Sequence, residues 1–131
     1  MTLPADASQG SQVIALGSID QVFAGHDRAV LRVLDGDDLL GTVLLIRSRH
    51  GDVFGMLNRC PHRLRGLADG RVRGRVVICP GHGFGFNMCT GVPVGAARNG
   101  VLRLRLVRTH VDDGQVSVAI DPDEIRRCQT C

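Results

Sequence analysis

The feature that most constrains this chain is a pair of short segments that each carry one cysteine and one histidine. The first reads Cys60-Pro61-His62, and the second, Cys79-Pro80-Gly81-His82, begins after sixteen intervening residues. Thiolate and imidazole groups are typical protein ligands of soft and borderline metal ions, so the two segments together predict a metal centre. The candidate ligands are Cys60, His62, Cys79 and His82.

Two kinds of metal centre take two cysteines and two histidines as ligands. In one type of [2Fe–2S] cluster, two histidines replace two cysteines on one of the two irons. A structural zinc ion accepts the same four ligands, but zinc sites usually pair Cys with Cys and His with His along the chain. Each segment of this chain mixes the two residue types. The order therefore favours the iron–sulfur centre and leaves zinc as the alternative.

The flanking residues extend the pattern beyond the four ligands. The first segment continues with Arg63 and, further on, Leu67-Ala68-Asp69-Gly70. The second continues as Gly83-Phe84-Gly85-Phe86-Asn87 and ends at Thr90-Gly91. Over about residues 53–95 the chain resembles the cluster loops of Rieske iron–sulfur domains, such as Rieske ferredoxins and ring-hydroxylating oxygenases. Gly81 departs from the pattern, since oxygenase-like members usually have a bulky residue there.

The resemblance implies one Rieske-type [2Fe–2S] cluster per chain. It assigns Cys60 and Cys79 to the inner iron, and His62 and His82 to the outer, solvent-facing iron. High-potential Rieske proteins of respiratory chains also carry a bracing disulfide and hydroxyl donors to the cluster sulfurs. The corresponding positions here hold Arg65 and Gly81, and Phe84 and Phe86. Because lost donors disfavour the reduced cluster, we expect a potential near the low end of the Rieske range, about −150 mV.

Short runs of β-branched and aliphatic residues recur along the chain and predict an all-β fold. They cover residues 29–34, 43–47, 53–57, 75–79 and 116–120, and turn sequences rich in Asp and Gly lie between several of them. Residues 102–106 alternate Leu and Arg, which is typical of a strand with one buried face. A helical bundle is excluded, and only residues 123–127 indicate a short helix. We expect a Rieske-like β-sandwich or small barrel, with two loops forming a cluster-binding subdomain at one tip.

A length of 131 residues predicts a single domain. We expect a flexible leader at 1–11, a Rieske domain at 12–122 with its cluster-binding subdomain at about 58–92, and a C-terminal tail at 123–131. The sequence has neither a membrane-length apolar run nor a secretory signal at its start, so the expected location is the cytoplasm.

Three cysteines lie outside the metal pattern. We expect Cys89 to be buried or half-buried. Cys128 and Cys131 have CxxC spacing, but no second pair of ligands lies near them in the sequence, which favours a tail with no metal or redox role.

All 16 basic residues are arginines, and the formal net charge is +3. Five of them fall between the two ligand segments: Arg63, Arg65, Arg71, Arg73 and Arg75. A basic patch can indicate nucleic-acid binding, but four phenylalanines, no Trp or Tyr and no recognised motif argue against it. The patch is then either a solvated rim or a surface for an acidic face of a redox partner.

A cluster of this kind exchanges one electron and has no vacant position for a substrate. The sequence contains no flavin or nucleotide fingerprint and no separate set of catalytic iron ligands. We therefore expect an electron carrier rather than an enzyme. The resemblance implies a ferredoxin, monomeric or weakly oligomeric, that passes electrons from a flavoprotein reductase to a terminal oxygenase. Two alternatives stay open: the small Rieske subunit of an NADH-dependent nitrite reductase, and a non-redox sensing or binding module with a structural metal.

Overall fold

A computed structural model of the chain describes residues 2–4, 10–61, 66–80, 83–95 and 103–129, without the side chains of 127–129. Within these ranges the chain forms short strands and two short helices. Their bounds are β1 Thr2–Pro4, β2 Gln12–Ser18, α1 Ile19–Phe23, β3 Arg28–Asp35, β4 Asp38–Arg47, β5 Val53–Leu57, β6 Arg71–Arg73, β7 Val76–Ile78, β8 Gly85–Asn87, β9 Pro93–Val94, β10 Thr109–Asp112, β11 Gln115–Ile120 and α2 Pro122–Gln129.

The described strands form three open sheets. Their orders are β1-β3-β4-β5, β10-β11-β2 and β6-β7-β8-β9. Strand β1 runs parallel to β3, and the other paired strands are antiparallel. The predicted all-β fold is confirmed.

Strand β4 is buried on both faces and separates two hydrophobic cores. Val43 and Leu45 belong to the first core, whereas Leu44 and Ile46 belong to the second. Because side chains alternate across a strand, the sheet containing β4 is the middle layer of the molecule. The first core packs it against β11 and both helices, and the second packs it against the β6–β9 sheet.

Most of the predicted strands lie inside observed ones. The runs 29–34, 53–57 and 116–120 fall within β3, β5 and β11, and the run 43–47 forms the second half of β4. The β10–β11 hairpin turns at Asp113-Gly114, as its sequence indicates. Both residues have positive φ (51° and 75°), the conformation that a tight two-residue hairpin turn requires.

The strand prediction for residues 102–106 is wrong for the residues that the structure describes. The amide of Leu104 donates to the carbonyl of Gly91 in the loop before β9, while the carbonyl of Arg105 accepts from Leu57 in β5, so the segment does not follow one partner strand. Leu106 forms an isolated bridge with Met56. The alternation correctly indicated burial, since Leu104 is buried and Arg103 and Arg105 are exposed. It carried no information about pairing, and Leu102 lies outside the described residues.

The chain ends differ from the sequence-based expectation. Thr2–Pro4, assigned to a flexible leader, forms β1, and Leu3 is buried in the first core. Within the expected tail, Pro122–Gln129 forms α2, which extends the helix indicated at 123–127, and Ile125 packs into the same core. Neither helix of the described part is long and apolar enough to cross a membrane.

Candidate metal centre

Cys60 and Cys79 lie in two loops, of which the first leads into β6 and the second leaves its neighbour β7. The first loop spans residues 58–70 and connects β5 to β6, and the second spans 79–84 and connects β7 to β8. Strands β6 and β7 pair directly, with Arg71 opposite Ile78. The end of the first loop is therefore adjacent to the start of the second.

Both cysteines of the pattern are buried in the second core. Cys60 is 0% exposed and Cys79 is 1% exposed, and the two are not joined in a disulfide. They share that core with Leu67 and Phe86, although they are nineteen positions apart in sequence. The fold thus brings the two predicted sulfur ligands into one apolar cluster.

The first loop is fastened by two side chains that the sequence analysis did not identify. The Asn58 Oδ1 atom accepts hydrogen bonds from the amides of Leu67 (2.8 Å) and Ala68 (3.1 Å). A guanidinium nitrogen of Arg28, the first residue of β3, donates to the carbonyl of Ala68 at 2.5 Å. Asn58 therefore holds together the two ends of the segment that contains Cys60 and His62.

A glycine seats the same loop against β7. A Cβ atom at Gly70 would overlap the carbonyl oxygen of Ile78 and lie 3.0 Å from that of Leu67. Both obstacles are backbone atoms, so they cannot move aside as a side chain would. This close approach places the end of the first loop beside the residue that precedes Cys79.

The second loop is closed by its own backbone. The amide of Cys79 donates to the carbonyl of Phe84 at 2.7 Å, and the amide of Gly83 donates to the carbonyl of Cys79 at 3.2 Å. Gly83 has a φ of 70°, which glycine adopts without steric cost. Asn87, at the end of β8, accepts from the amides of Cys89 and Thr90 and orders the next turn.

Several predicted residues lie outside the described ranges. They are His62, Arg63, Arg65, Gly81, His82 and Cys131, and the side chain of Cys128 is also not described. Since two of the four predicted ligands are among them, the remaining residues present no group of three or more His, Cys, Asp or Glu that could hold a metal ion.

Cys89 is exposed, which corrects the expectation that it is buried or half-buried. It follows Met88 in the turn after β8, and Met88 takes the buried position instead. His26, His50 and His110, which are outside the ligand pattern, are exposed.

The chemistry of the described donors fits an iron–sulfur cluster. Two buried sulfur atoms lie in one apolar cluster, and the adjoining loops are tied down by backbone and side-chain hydrogen bonds. Cysteine thiolates are the usual protein ligands of iron–sulfur clusters, and the surrounding burial and hydrogen bonding tune their potentials.

The profile of the Rieske [2Fe-2S] domain family matches residues 12–104. Among curated proteins, the chain is 36% identical over 81 residues to ferredoxin CarAc of Metapseudomonas resinovorans, which covers 61% of this chain and 74% of that protein. It is 34% identical over 67 residues to the ferredoxin component of the naphthalene 1,2-dioxygenase system of Pseudomonas putida. That second match covers 48% of this chain and 64% of the relative, just under two thirds of its length.

A solved structure with the same fold is that of a protein named as the small subunit of an NADH-dependent nitrite reductase from Mycobacterium tuberculosis. Its TM-score is 0.65 with 20% identity, and the match covers 84% of this chain and 96% of that one. At this identity the similarity shows the fold and does not transfer the function.

The comparisons confirm the Rieske assignment, the [2Fe–2S] cofactor and the interpretation of the chain as a ferredoxin-type electron carrier. They also agree with the buried cysteines and the two fastened loops described above. The chain therefore belongs to the Rieske [2Fe-2S] domain family.

Proposed function

We propose that this protein is the ferredoxin component of an oxygenase system of the ring-hydroxylating type. It receives one electron from a flavoprotein reductase and passes it to a terminal oxygenase, and it catalyses no reaction itself. The observation that carries the proposal is the 36% identity to a ferredoxin, over a segment that contains both buried cysteines. We also place the protein in the cytoplasm, where thiols stay reduced.

We propose Cys60 and Cys79 as the sulfur ligands of the cluster, and His62 and His82 as its nitrogen ligands. The bound cluster supplies one-electron chemistry. The described residues have two tasks around it. The apolar side chains of the second core exclude water from the cysteine side, and Asn58, Arg28 and Gly70 fix the first loop in place.

The ligand assignment is tested by substitutions and a matched control. Cys60→Ser and Cys79→Ser should each lose most of the iron, the acid-labile sulfide and the visible absorbance. Cys89→Ser removes an exposed cysteine that is not a proposed ligand, so this variant should retain the iron, the sulfide and the visible absorbance. His62→Cys and His82→Cys should retain iron but lower the midpoint potential, because each replaces a neutral imidazole with a negative thiolate. The assignment fails if Cys60→Ser or Cys79→Ser keeps a wild-type spectrum.

The identity of the metal is tested on anaerobically purified wild-type protein. We expect iron and sulfide in equal amounts, a rhombic EPR signal after dithionite reduction, and a midpoint near −150 mV, the low end of the Rieske range. A colourless protein that contains zinc would support the structural-metal alternative. A midpoint above about +100 mV would contradict the assignment to the low-potential class.

The nitrite reductase alternative has the support of the shared fold. Co-purification from the native host separates the two functions. A stable complex with a sirohaem protein would indicate the reductase subunit, whereas a ferredoxin should purify alone and donate electrons to an oxygenase in a reconstituted assay.

A further inference from the structure

A groove lined by arginines lies between two turns of the chain. The proposed function assigns no role to this groove. Its walls are the turn between β4 and β5 and the tip of the β6–β7 hairpin, and its volume is 840 Å³. We call it the arginine groove. Its cationic residues are Arg47, Arg49, Arg73 and Arg75.

Three of these four arginines have exposed side chains. Within the described residues, Arg49, Arg73 and Arg75 form no ion pair. Arg47 differs, because its guanidinium donates to the carbonyl of His26 and lies 5.1 Å from the ring centre of Phe23. Cations that form no ion pair within the described part of the chain are available to an anionic partner.

The groove also contains two acidic residues, Asp27 and Asp52. Asp27 lies 3.7 Å from the guanidinium of Arg28, so its charge is offset by an arginine outside the groove. Four arginines against Asp52 and a paired Asp27 leave an excess of positive charge. The exposed His50 also lines the groove.

Strand β7 connects the tip of the arginine groove to the second ligand loop. Arg75 begins the return of the hairpin, and Cys79 follows four residues later, about 13 Å along an extended chain. Arg71 adds a further exposed cation on the paired strand, opposite Ile78. A protein seated on the groove would therefore contact the tip of the hairpin whose second strand leads to Cys79.

We propose that the arginine groove is the docking surface for an acidic face of the protein that exchanges electrons with this chain. This inference rests on the proposed function. Opposite charges on two partners accelerate their encounter and orient them, and a redox pair gains from both effects. The arginines of the groove lie at the β6–β7 hairpin, whose second strand leads to Cys79. Arg126 lies elsewhere and is paired with Asp35.

The test is a titration of isotope-labelled, cluster-loaded protein with poly-L-glutamate, followed by amide NMR shifts at about 0.1 M salt. We expect the largest shifts at residues 47–52 and 73–75. Arg73→Gln should weaken binding about threefold, as expected for the loss of one partly screened contact between opposite charges. Binding should weaken further as salt is raised.

Arg126→Gln is the matched control, since it removes the same charge from an exposed side chain. Its partner Asp35 pairs with Asp38, the first residue of β4, whereas Arg47 of the groove is the last residue of that strand. The two ends of β4 are roughly 30 Å apart, so the control site is far from the groove. This variant should bind poly-L-glutamate within about 1.5-fold of wild type, by the same screening argument. Equal weakening in the two variants would reduce the effect to net charge and overturn the proposal.

Two further outcomes separate the remaining explanations. Duplex DNA that still shifts the same amides at 0.15 M salt, where poly-L-glutamate no longer does, would assign the groove to nucleic acid and overturn the proposal. Cluster-loaded protein with normal EPR but no poly-L-glutamate binding would overturn the docking surface and leave the electron carrier intact. Purified protein without iron and sulfide would instead remove the proposed function, whatever the groove binds.

Discussion

At the scale of single residues, the fastening of the first loop depends on the side-chain oxygen of Asn58. That oxygen accepts from two amides nine and ten residues ahead, and the Asn58 amide donates to the carbonyl of Thr42 in β4. One residue thus joins the loop that contains Cys60 to the middle sheet. A half-buried amide that loses its acceptor has little access to water, which makes this contact more costly to lose than an exposed one.

Asn58→Ala should destabilise the protein by about 1–3 kcal/mol and accelerate cluster loss, because it leaves two partly buried amides without their acceptor. The measurements are the guanidinium midpoint and the rate at which visible absorbance decays. Asn87→Ala is the control, since Asn87 also accepts from two amides, but at an exposed turn. It should cost about 1 kcal/mol or less. If the two variants lose cluster at the same rate, Asn58 has no special part in holding the loop.

At the scale of elements, the two positions that flank β6 require glycine for different physical reasons. Gly70 precedes the strand and lies against the backbone of Ile78. Gly74 follows the strand in the hairpin turn, with a φ of 59° and no atom within 4 Å of an added Cβ. At Gly70 a side chain would have no space, whereas at Gly74 a side chain would have space but would strain the backbone.

Substituting alanine at each glycine should separate these reasons. Gly70→Ala forces β6 or β7 to shift and should cost about 2–3 kcal/mol, with faster loss of the cluster. Gly74→Ala should cost about 1 kcal/mol, the strain of a left-handed non-glycine residue, without an effect on cluster lifetime. Denaturant unfolding and iron retention after dilution into chelator measure both. A wild-type cluster lifetime in Gly70→Ala would show that the close approach to β7 does not position the loop.

The ligand segments were visible in the sequence because their chemistry is local: a cysteine and a histidine sit within four residues of each other. The contacts of Asn58 and Arg28 were not, since they join residues that only the fold brings together. Helix α1 could have been predicted, because Ser18 and Gln21 form a capping box that the sequence displays. The alternation at residues 102–106 predicts a strand that the described part of this segment does not form, because a period of two reports burial and says nothing about which strand is the partner.

At the scale of the whole molecule, the protein divides its apolar interior between two tasks. The first core joins β2, β11 and both helices to the middle sheet and contains neither of the two buried cysteines. The second core joins the β6–β9 sheet to the opposite face and contains both Cys60 and Cys79. Since β4 and β5 each contribute side chains to both cores, the two cores share these strands while differing in what they surround.

A pair of equivalent substitutions, one in each core, tests this division. Phe23 lies in the first core at 1% exposure, and Phe86 lies in the second at 0%. Phe23→Leu and Phe86→Leu remove similar volume from fully buried sites, so each should destabilise the protein by about 1–2 kcal/mol.

The two variants should differ at the cluster. Phe86→Leu should shift the EPR g-values or the midpoint potential and shorten the cluster lifetime, because its side chain packs in the core that surrounds both cysteines. Phe23→Leu should leave the EPR spectrum and the midpoint at their wild-type values, since β4 and its sheet stand between that residue and the cluster. Equal spectral changes in the two would mean that the middle sheet transmits packing defects, and that the interior acts as a single core.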